Sequence, residues 1–376
     1  MPSERYRRIR VSGNGFDRSR DYGVAASDEI HRTKAGYERA FAEKGISWAQ
    51  ATEIARGFVD AVEAWQPQLL TEIEGIAAGS GLSFDDVFTI NSRTEVLWSA
   101  AAAEEHPSDG MPRGECSSFA LAPHPGLERG TLVGQNWDWL EVLSDTIVVL
   151  EVERDDGPHY VTVVEAGLLA KTTLSQAGIA LAINTLVSSL DGKPGGVPFH
   201  FVIRAIADQA SIDDTLTMLR SVTRASSGNY VLGSADGTIM NIETAPGGAN
   251  NVFPSLSHPD SVVHTNHFQH PISGGVDLAS TQMPDSYPRL RRVQAVIADN
   301  ANTITRKDIE LALADHTNYP SSVCCHPDSA DAPDGRWQTL AGIIMEPSTK
   351  TLHLVEGNPC VEPWTTLDYG DFLQAN

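Results

Sequence analysis

The hydrophobic period of this chain changes at Cys116, and that change rules out a uniform bundle or a uniform sandwich. From about residue 25 to 100, apolar residues recur at helical spacing: Ile30, Tyr37 and Phe41, then Ile54, Phe58, Val62 and Trp65, then Leu69, Ile73 and Ile76. Gly45 closes the first of these helices, and Ser47-Trp48-Ala49-Gln50 reads as a capping box for the next. Ser83-Phe84-Asp85-Asp86 caps a further short helix. Ahead of them, Tyr6 to Val11 reads as an extended segment ending in the turn Ser12-Gly13-Asn14-Gly15.

From Cys116 the period is two. Strands are expected at 116–122, 131–137, 147–153, 159–164, 171–174 and 179–186, the third and fourth joined through Asp155-Asp156-Gly157. Two helices follow, at 198–209 and from Ser211. Strands return at 230–233 and 238–243, helices at 287–300 and from Thr305, and strands at 340–345 and 351–356. This order is not the strict βαβ alternation of a doubly wound sheet. It fits an α+β chain in which two antiparallel sheets pack together with helices outside, a four-layer αββα arrangement carrying a helical N-terminal segment. Residues 101–115 are Ala-rich and then small, polar, Pro- and Gly-containing, and read as an exposed linker. The expected division is therefore a helical segment 1–115 and a catalytic domain 116–376.

Charge and cysteine usage narrow the function. The formal net charge is −22, whose long-range field repels phosphates, so neither a nucleic acid nor an anionic membrane is the expected partner. No run approaches the roughly 18 apolar residues of a membrane span, and the basic N-terminus lacks the apolar core of a signal peptide. Cys116, Cys324, Cys325 and Cys360 form neither a disulfide framework nor a CxxC zinc pattern. A protein of a reducing cytoplasm is the expectation.

The bend Gly114-Glu115 followed by Cys116-Ser117-Ser118 and a strand places a cysteine where it can become the first residue of a new chain. Gly134-Gln135-Asn136-Trp137-Asp138-Trp139 follows on the returning strand, and the two stretches read as arms of an active-site hairpin. An isolated strand cysteine is ordinarily an inert small hydrophobe. Here the polar neighbours and the preceding break weaken that reading.

These stretches carry a resemblance. Together with Glu72-Ile73-Glu74-Gly75-Ile76-Ala77, Asn91-Ser92-Arg93-Thr94-Glu95, Glu165-Ala166-Gly167, Gly196-Val197-Pro198, His264-Thr265-Asn266-His267, Asn318-Tyr319-Pro320 and Arg336, they are spread over nearly the whole chain. In that order and spacing, the sequence resembles the isopenicillin N acyltransferase family of N-terminal-nucleophile cysteine hydrolases, and is similar also to the carcinine hydrolases. The resemblance implies self-cleavage between Glu115 and Cys116 into α and β fragments that stay associated. The new α-amino group then serves as base and the Cys116 thiol as nucleophile on a small-molecule amide or an acyl-CoA. It assigns Asn266 to the oxyanion hole, Asp138 to orienting the amino group, and Arg336 and Thr244 to substrate binding, with Trp137 and Trp139 beside them. It implies no cofactor. Amidohydrolysis and acyl transfer share every step to the thioester, and hydrolysis is favoured because water needs no second binding site. The chain departs from the family in carrying Glu115 before the nucleophile and a Cys324-Cys325 pair.

Three rival readings stand beside this one. His264, His267 and His270 invite a zinc site, but no glutamate or cysteine in sequence completes a ligand set, so no metal is expected. A Cys–His protease would need a histidine brought to Cys116. A non-catalytic binding protein on the same fold would leave Cys116 unprocessed. Arg289, Arg291 and Arg292 read as a solvated helix face.

Overall fold

The structure is a computed structural model that describes residues 5–103, 116–124, 130–255, 260–300 and 303–374, with backbone alone at 100–103. Strand β1 (Arg7–Gly13) leads into helices α1 (Gly15–Ala25), α2 (Ser27–Glu43), α3 (Trp48–Arg56), α4 (Val59–Trp65), α5 (Gln68–Ser80), α6 (Phe84–Asn91) and α7 (Arg93–Ala103). Then come strands β2 (Ser117–Leu121), β3 (Leu132–Leu140), β4 (Ile147–Arg154), β5 (Tyr160–Glu165), β6 (Thr172–Ser175) and β7 (Ile179–Thr185). Helices α8 (Phe199–Ile206) and α9 (Ile212–Ser221) precede β8 (Gly228–Ser234), β9 (Ile239–Thr244), β10 (Val252–Ser255) and β11 (Ser261–His264). The chain ends with α10 (Ala279–Gln282), α11 (Ser286–Asp299), α12 (Arg306–Leu313), β12 (Trp337–Glu346), β13 (Thr351–Glu356) and β14 (Thr365–Asp368).

Among the described residues the strands form two sheets, in the orders β1-β4-β5-β6-β7-β8-β9-β10 and β11-β2-β3-β12-β13-β14. Every pairing is antiparallel except β1 with β4. Strands β2 and β3 lie over β7 and β8. Outside the first sheet, α1 packs on β1 and β4, and α9 on β8 and β10; outside the second, α11 and α12 cover β11 and β3. This is the αββα layering expected from the element order.

Each face of the second sheet has its own core. Ala120, Ala122, Val133 and Trp137 point between the sheets into the main apolar cluster. Phe119, Leu121 and Leu132 point outward onto Val293, Ile297, Ile309 and Leu313 of α11 and α12. A strand's two-residue period produces that partition.

The structure departs from the sequence reading in a few elements. Residues 15–25 form α1 where a turn ended the expected segment. Asn14 caps it by accepting from the Asp17 amide at 3.0 Å. Its Gly23 is a packing residue and not a breaker, since a β-carbon there would lie 2.5 Å from the Ile76 carbonyl oxygen of α5. Segment 1–115 also contributes β1 as an edge of the eight-stranded sheet. The helix expected over 48–65 is divided at Gly57-Phe58 into α3 and α4. Short β10, β11 and β14 lack a run long enough to show period two. Most of the expected linker, residues 104–115, lies outside the described residues.

Candidate active site

Cys116 stands one residue before β2, 5% exposed and within the inter-sheet cluster. Its carbonyl oxygen accepts from Asn184 Nδ2 of β7 at 2.8 Å and from Arg289 Nη1 of α11 at 3.2 Å. Donors from opposite sides of the second sheet therefore hold one peptide. Asn184 is itself fixed: its Oδ1 accepts from Ser118 Oγ at 2.5 Å and from Asn229 Nδ2 at 3.0 Å.

Arg289 is the hub. Besides the Cys116 carbonyl, Nη1 donates to Ser117 Oγ at 3.1 Å, Nη2 to Asn266 Oδ1 at 2.9 Å, and Nε to Asp285 Oδ2 at 2.8 Å. Its side chain is wholly buried. Burial pulls its pKa down, but the carboxylates of Asp285 and then Asp138 outweigh this and hold it above the ordinary arginine value.

Asp138 and Asn266 join this cluster. Asp138, fully buried on β3, accepts from Thr339 Oγ1 of β12 at 2.5 Å. Two residues earlier, Asn136 pairs with Ser117 across the hairpin, which brings Asp138 to the Cys116 end of β2. By strand parity Asp138 faces the α11–α12 layer, while Trp137 and Trp139 share the inter-sheet core with Cys116. Asn266 follows β11. Arg289 holds its oxygen, so its amide nitrogen is turned to the Thr185 carbonyl at 2.9 Å. Glu115 lies outside the described residues.

The expected substrate residues divide. Trp137 and Trp139 are buried and carry cations on their faces: Lys171 Nζ is 4.2 Å from the Trp137 ring centre and the Arg93 guanidinium 4.2 Å from that of Trp139. Both cations pair with buried Glu165, at 3.5 Å and 2.9 Å. Burial pushes Glu165 upward, but Arg93 and then Lys171 prevail and hold it below its ordinary value. Thr244 is buried on β9 and donates to the Gly228 carbonyl at 3.2 Å, inside the eight-stranded sheet. Arg336 is half-buried just before β12, with Nε donating to the Asp331 carbonyl at 3.4 Å. Among the described residues no hydrogen bond or ion pair links Arg336 or Thr244 to Cys116.

Sequence reasoning missed Asn184 and Arg289. The signal for Arg289 lay in helical phase: Ser286, Arg289, Val293 and Ile297 are the buried face of α11. The expected solvated Arg289–Arg292 face therefore holds only for its other members. Arg291 is exposed, and Arg292 forms a surface pair with Asp315 at 2.7 Å.

The three histidines do not converge. His264 Nε2 and His270 Nδ1 bind the two oxygens of Glu243, at 2.7 and 2.8 Å, and His267 Nδ1 binds Ser286 Oγ at 2.7 Å. The glutamate absent from the sequence run thus arrives from β9, as a hydrogen-bond acceptor between two rings. Burial, then His264 and Arg289, push the His267 pKa down to about 4. A different set, His316, Cys324, His326 and Cys360, brings its ligand atoms within 4.8 Å of one another. The sequence reading assigned these residues no metal role.

With this geometry, comparison with known proteins becomes informative. Residues 127–360 match the family described as acyl-coenzyme A:6-aminopenicillanic acid acyl-transferase. The chain is 23% identical over 373 residues to the 40 kDa form of acyl-coenzyme A:6-aminopenicillanic-acid-acyltransferase of Emericella nidulans, covering 92% of this chain and 97% of that protein. It is 25% identical over 312 residues to the β-alanyl-dopamine/carcinine hydrolase of Drosophila melanogaster, covering 78% of this chain and 77% of that one. Among solved structures, a mutant conjugated bile acid hydrolase from Clostridium perfringens aligns at 11% identity with a TM-score of 0.44, over 69% of this chain and 94% of that one. The penicillin V acylase of Agrobacterium tumefaciens aligns at 12% identity with a TM-score of 0.40, over 69% and 88%.

Proposed function

Since the chain belongs to the acyl-coenzyme A:6-aminopenicillanic acid acyl-transferase family, enzymes of the N-terminal-nucleophile type, we propose that it is a self-cleaving cysteine amidohydrolase acting on the linear amide of an N-acylated small molecule. The observation that carries this reading is the convergence on Arg289 of the Cys116 carbonyl and the Asn266 amide, with Asp138 beside it.

In self-cleavage the Cys116 thiol attacks the carbonyl carbon of Glu115, and the acyl group shifts from nitrogen to sulfur. Water then cleaves the thioester, leaving a Glu115 carboxylate and a free α-amine on Cys116. The fragments, residues 1–115 and 116–376, remain together. In turnover that amine, with a reference pKa near ~8, takes the thiol proton. The thiolate attacks the substrate carbonyl, the amine proton passes to the leaving nitrogen, and water resolves the thioester. Asn266 donates to the developing oxyanion, Asp138 orients the amine, and Arg289 positions both. Trp137 and Trp139, with Arg93 and Lys171 on their faces, form the inner wall for the acyl group. Arg336, half-buried just before β12, is the proposed outer substrate contact, while Thr244, buried in the sheet, supports the site from behind.

A second reading follows the relative from Emericella nidulans, named for an acyl-CoA-dependent transfer: an amine in place of water would resolve the same thioester. No helix among the described residues is long and apolar enough to cross a membrane. We place the enzyme in a reducing cytoplasm, where a nucleophilic thiol stays reduced.

Intact mass under denaturing conditions, for wild type and Cys116→Ala, tests the proposal. Two fragments that divide before Cys116 in wild type and a single chain in the variant are expected. A single chain in both would overturn self-cleavage and move the Cys–His protease and binding-protein readings forward.

A further inference from the structure

We propose that His316, Cys324, His326 and Cys360 form a tetrahedral site for one zinc ion, which fastens the outer wall beside Asp138. The four come from two places: the segment between α12 and β12, and the turn after β13. The measured separations are 3.6 Å for Cys324 Sγ to Cys360 Sγ and 3.5 Å for Cys324 Sγ to His326 Nε2. Cys360 Sγ to His326 Nε2 is 3.4 Å, and His316 Nε2 to His326 Nε2 is 3.0 Å. Zinc bound at about 2.3 Å to sulfur and about 2.0–2.1 Å to nitrogen in tetrahedral geometry puts its ligands about 3.8 Å apart for S···S, 3.5 Å for S···N and 3.4 Å for N···N. The three edges that include a sulfur lie within about 0.2 Å of those figures, the His316–His326 edge is about 0.4 Å shorter, and the remaining two are within 4.8 Å.

One side-chain donor is aimed at a cluster sulfur. Asn358 Nδ2 donates to Cys324 Sγ at 3.5 Å while its other contact holds the Cys325 carbonyl at 2.7 Å. Donors aimed at a sulfur are what a metal-bound thiolate accepts and a neutral thiol uses poorly. Two sulfurs and two imidazoles select zinc over hard cations, and four protein ligands leave no position for substrate, so the ion is structural. On binding, both thiols lose their protons to solvent and the two imidazoles bind through neutral Nε2.

What the ion would hold is the wall of the active site. Val323 accepts from Asn136 Nδ2 at 2.7 Å. Cys325, next to the ligand Cys324, donates its N–H to Thr339 Oγ1 at 2.9 Å, and that hydroxyl donates to Asp138. The pair Cys324-Cys325 thus divides its work, one sulfur facing the cluster and the next packed in the core.

Metal analysis by mass spectrometry of the full chain, expressed with added zinc and purified under reducing conditions without chelator, decides the matter. About one zinc per chain is expected in wild type and about tenfold less in Cys360→Ser and His316→Ala. Cobalt in its place should show thiolate-to-metal charge transfer and tetrahedral d–d bands. The inference is overturned if wild type holds less than about a tenth of an ion per chain, or if Cys360→Ser retains its zinc. It is overturned equally by a Cys324–Cys360 disulfide in the mass of protein purified without reductant. Metal content is read independently of self-cleavage, so failure of one proposal is distinguishable from failure of the other.

Discussion

Arg289 Nη2 donates to Asn266 Oδ1 at 2.9 Å, and this single bond decides which way the Asn266 amide points. With the oxygen engaged, the nitrogen donates to the Thr185 carbonyl through one hydrogen, and its second hydrogen is the donor the proposed oxyanion hole requires. Arg289 does this with a fork whose other branch holds the Cys116 carbonyl.

Arg289→Lys keeps the charge and loses the fork. A fall in kcat of about 10²-fold or more is expected, with a smaller change in KM, because a misdirected oxyanion donor acts on the transition state. Arg289→Met goes further: it leaves Asp285 buried without its partner and should lower stability by about 3–5 kcal/mol. Steady-state kinetics and denaturant melts separate the two effects. A lysine variant with wild-type kcat would remove Arg289 from the positioning role.

Once cut at Glu115–Cys116, the fragments should not part in buffer. Strand β1 pairs with β4 from Arg7↔Val148 to Gly13↔Arg154, which leaves an edge of the larger sheet in the N-terminal fragment. Buried charge also crosses the cut: Glu72 of α5 accepts from Arg204 of α8 at 2.7 and 2.9 Å, and Arg93 of α7 pairs with Glu165 at 2.9 Å. Size-exclusion chromatography should show one peak containing both fragments. Arg204→Met leaves Glu72 with Arg18 alone and should weaken the assembly by about 3–5 kcal/mol, seen as separation at lower urea. Separate peaks for the wild-type fragments would refute the association.

Glu95 sets a pH dependence of stability. It is buried on α7 and accepts from the Phe199 amide at 2.8 Å and from Ser226 Oγ at 2.5 Å. Burial outweighs these bonds and pushes its pKa up to about 7. An unfolded glutamate titrates near ~4.3, so between these values the folded chain holds the extra proton and stability falls as pH rises. The penalty is complete above about pH 7 and amounts to something on the order of 3 kcal/mol. Glu95→Gln should therefore raise Tm relative to wild type more at pH 8 than at pH 5. Equal differences at the two pH values would place the Glu95 titration elsewhere.

Much of the fold was legible because strand and helix periods are local. The β2–β3 hairpin, the α8–α9 and α11–α12 pairs and the capping boxes at Ser47 and Ser83 all stand where the pattern put them. Helix α1 was not read, because its Gly23 serves close contact with α5, a property that depends on the neighbour and not on the residue. In the site, the motifs pointed to Cys116, Asp138 and Asn266, and the structure links the Cys116 carbonyl and the Asn266 amide through Arg289. Arg289 and Asn184 were not, because each is defined by a partner from another layer more than 60 residues away in sequence. Cys324, His326 and Cys360 fell to the same limit: ligands 36 residues apart leave no short motif.

Asn184 carries the final test, because it holds Cys116 from the side opposite Arg289. Its Nδ2 donates to the Cys116 carbonyl at 2.8 Å, and its oxygen is fixed by Ser118 and Asn229. The thiol of a terminal residue is placed only as well as that residue's one remaining peptide, and two donors on its carbonyl fix it. Asn184→Ala removes one of the two and leaves the Ser118 hydroxyl its 3.3 Å contact with the His264 carbonyl. A displacement near 1 Å at a nucleophile costs about 10²-fold in rate, so slower self-cleavage and a lower kcat are expected with little change in KM. Pulse-chase of the precursor and kinetics of the cleaved enzyme measure the two steps separately. If Asn184→Ala slowed neither, the carbonyl clamp would be structural and the thiol would be positioned by Arg289 alone.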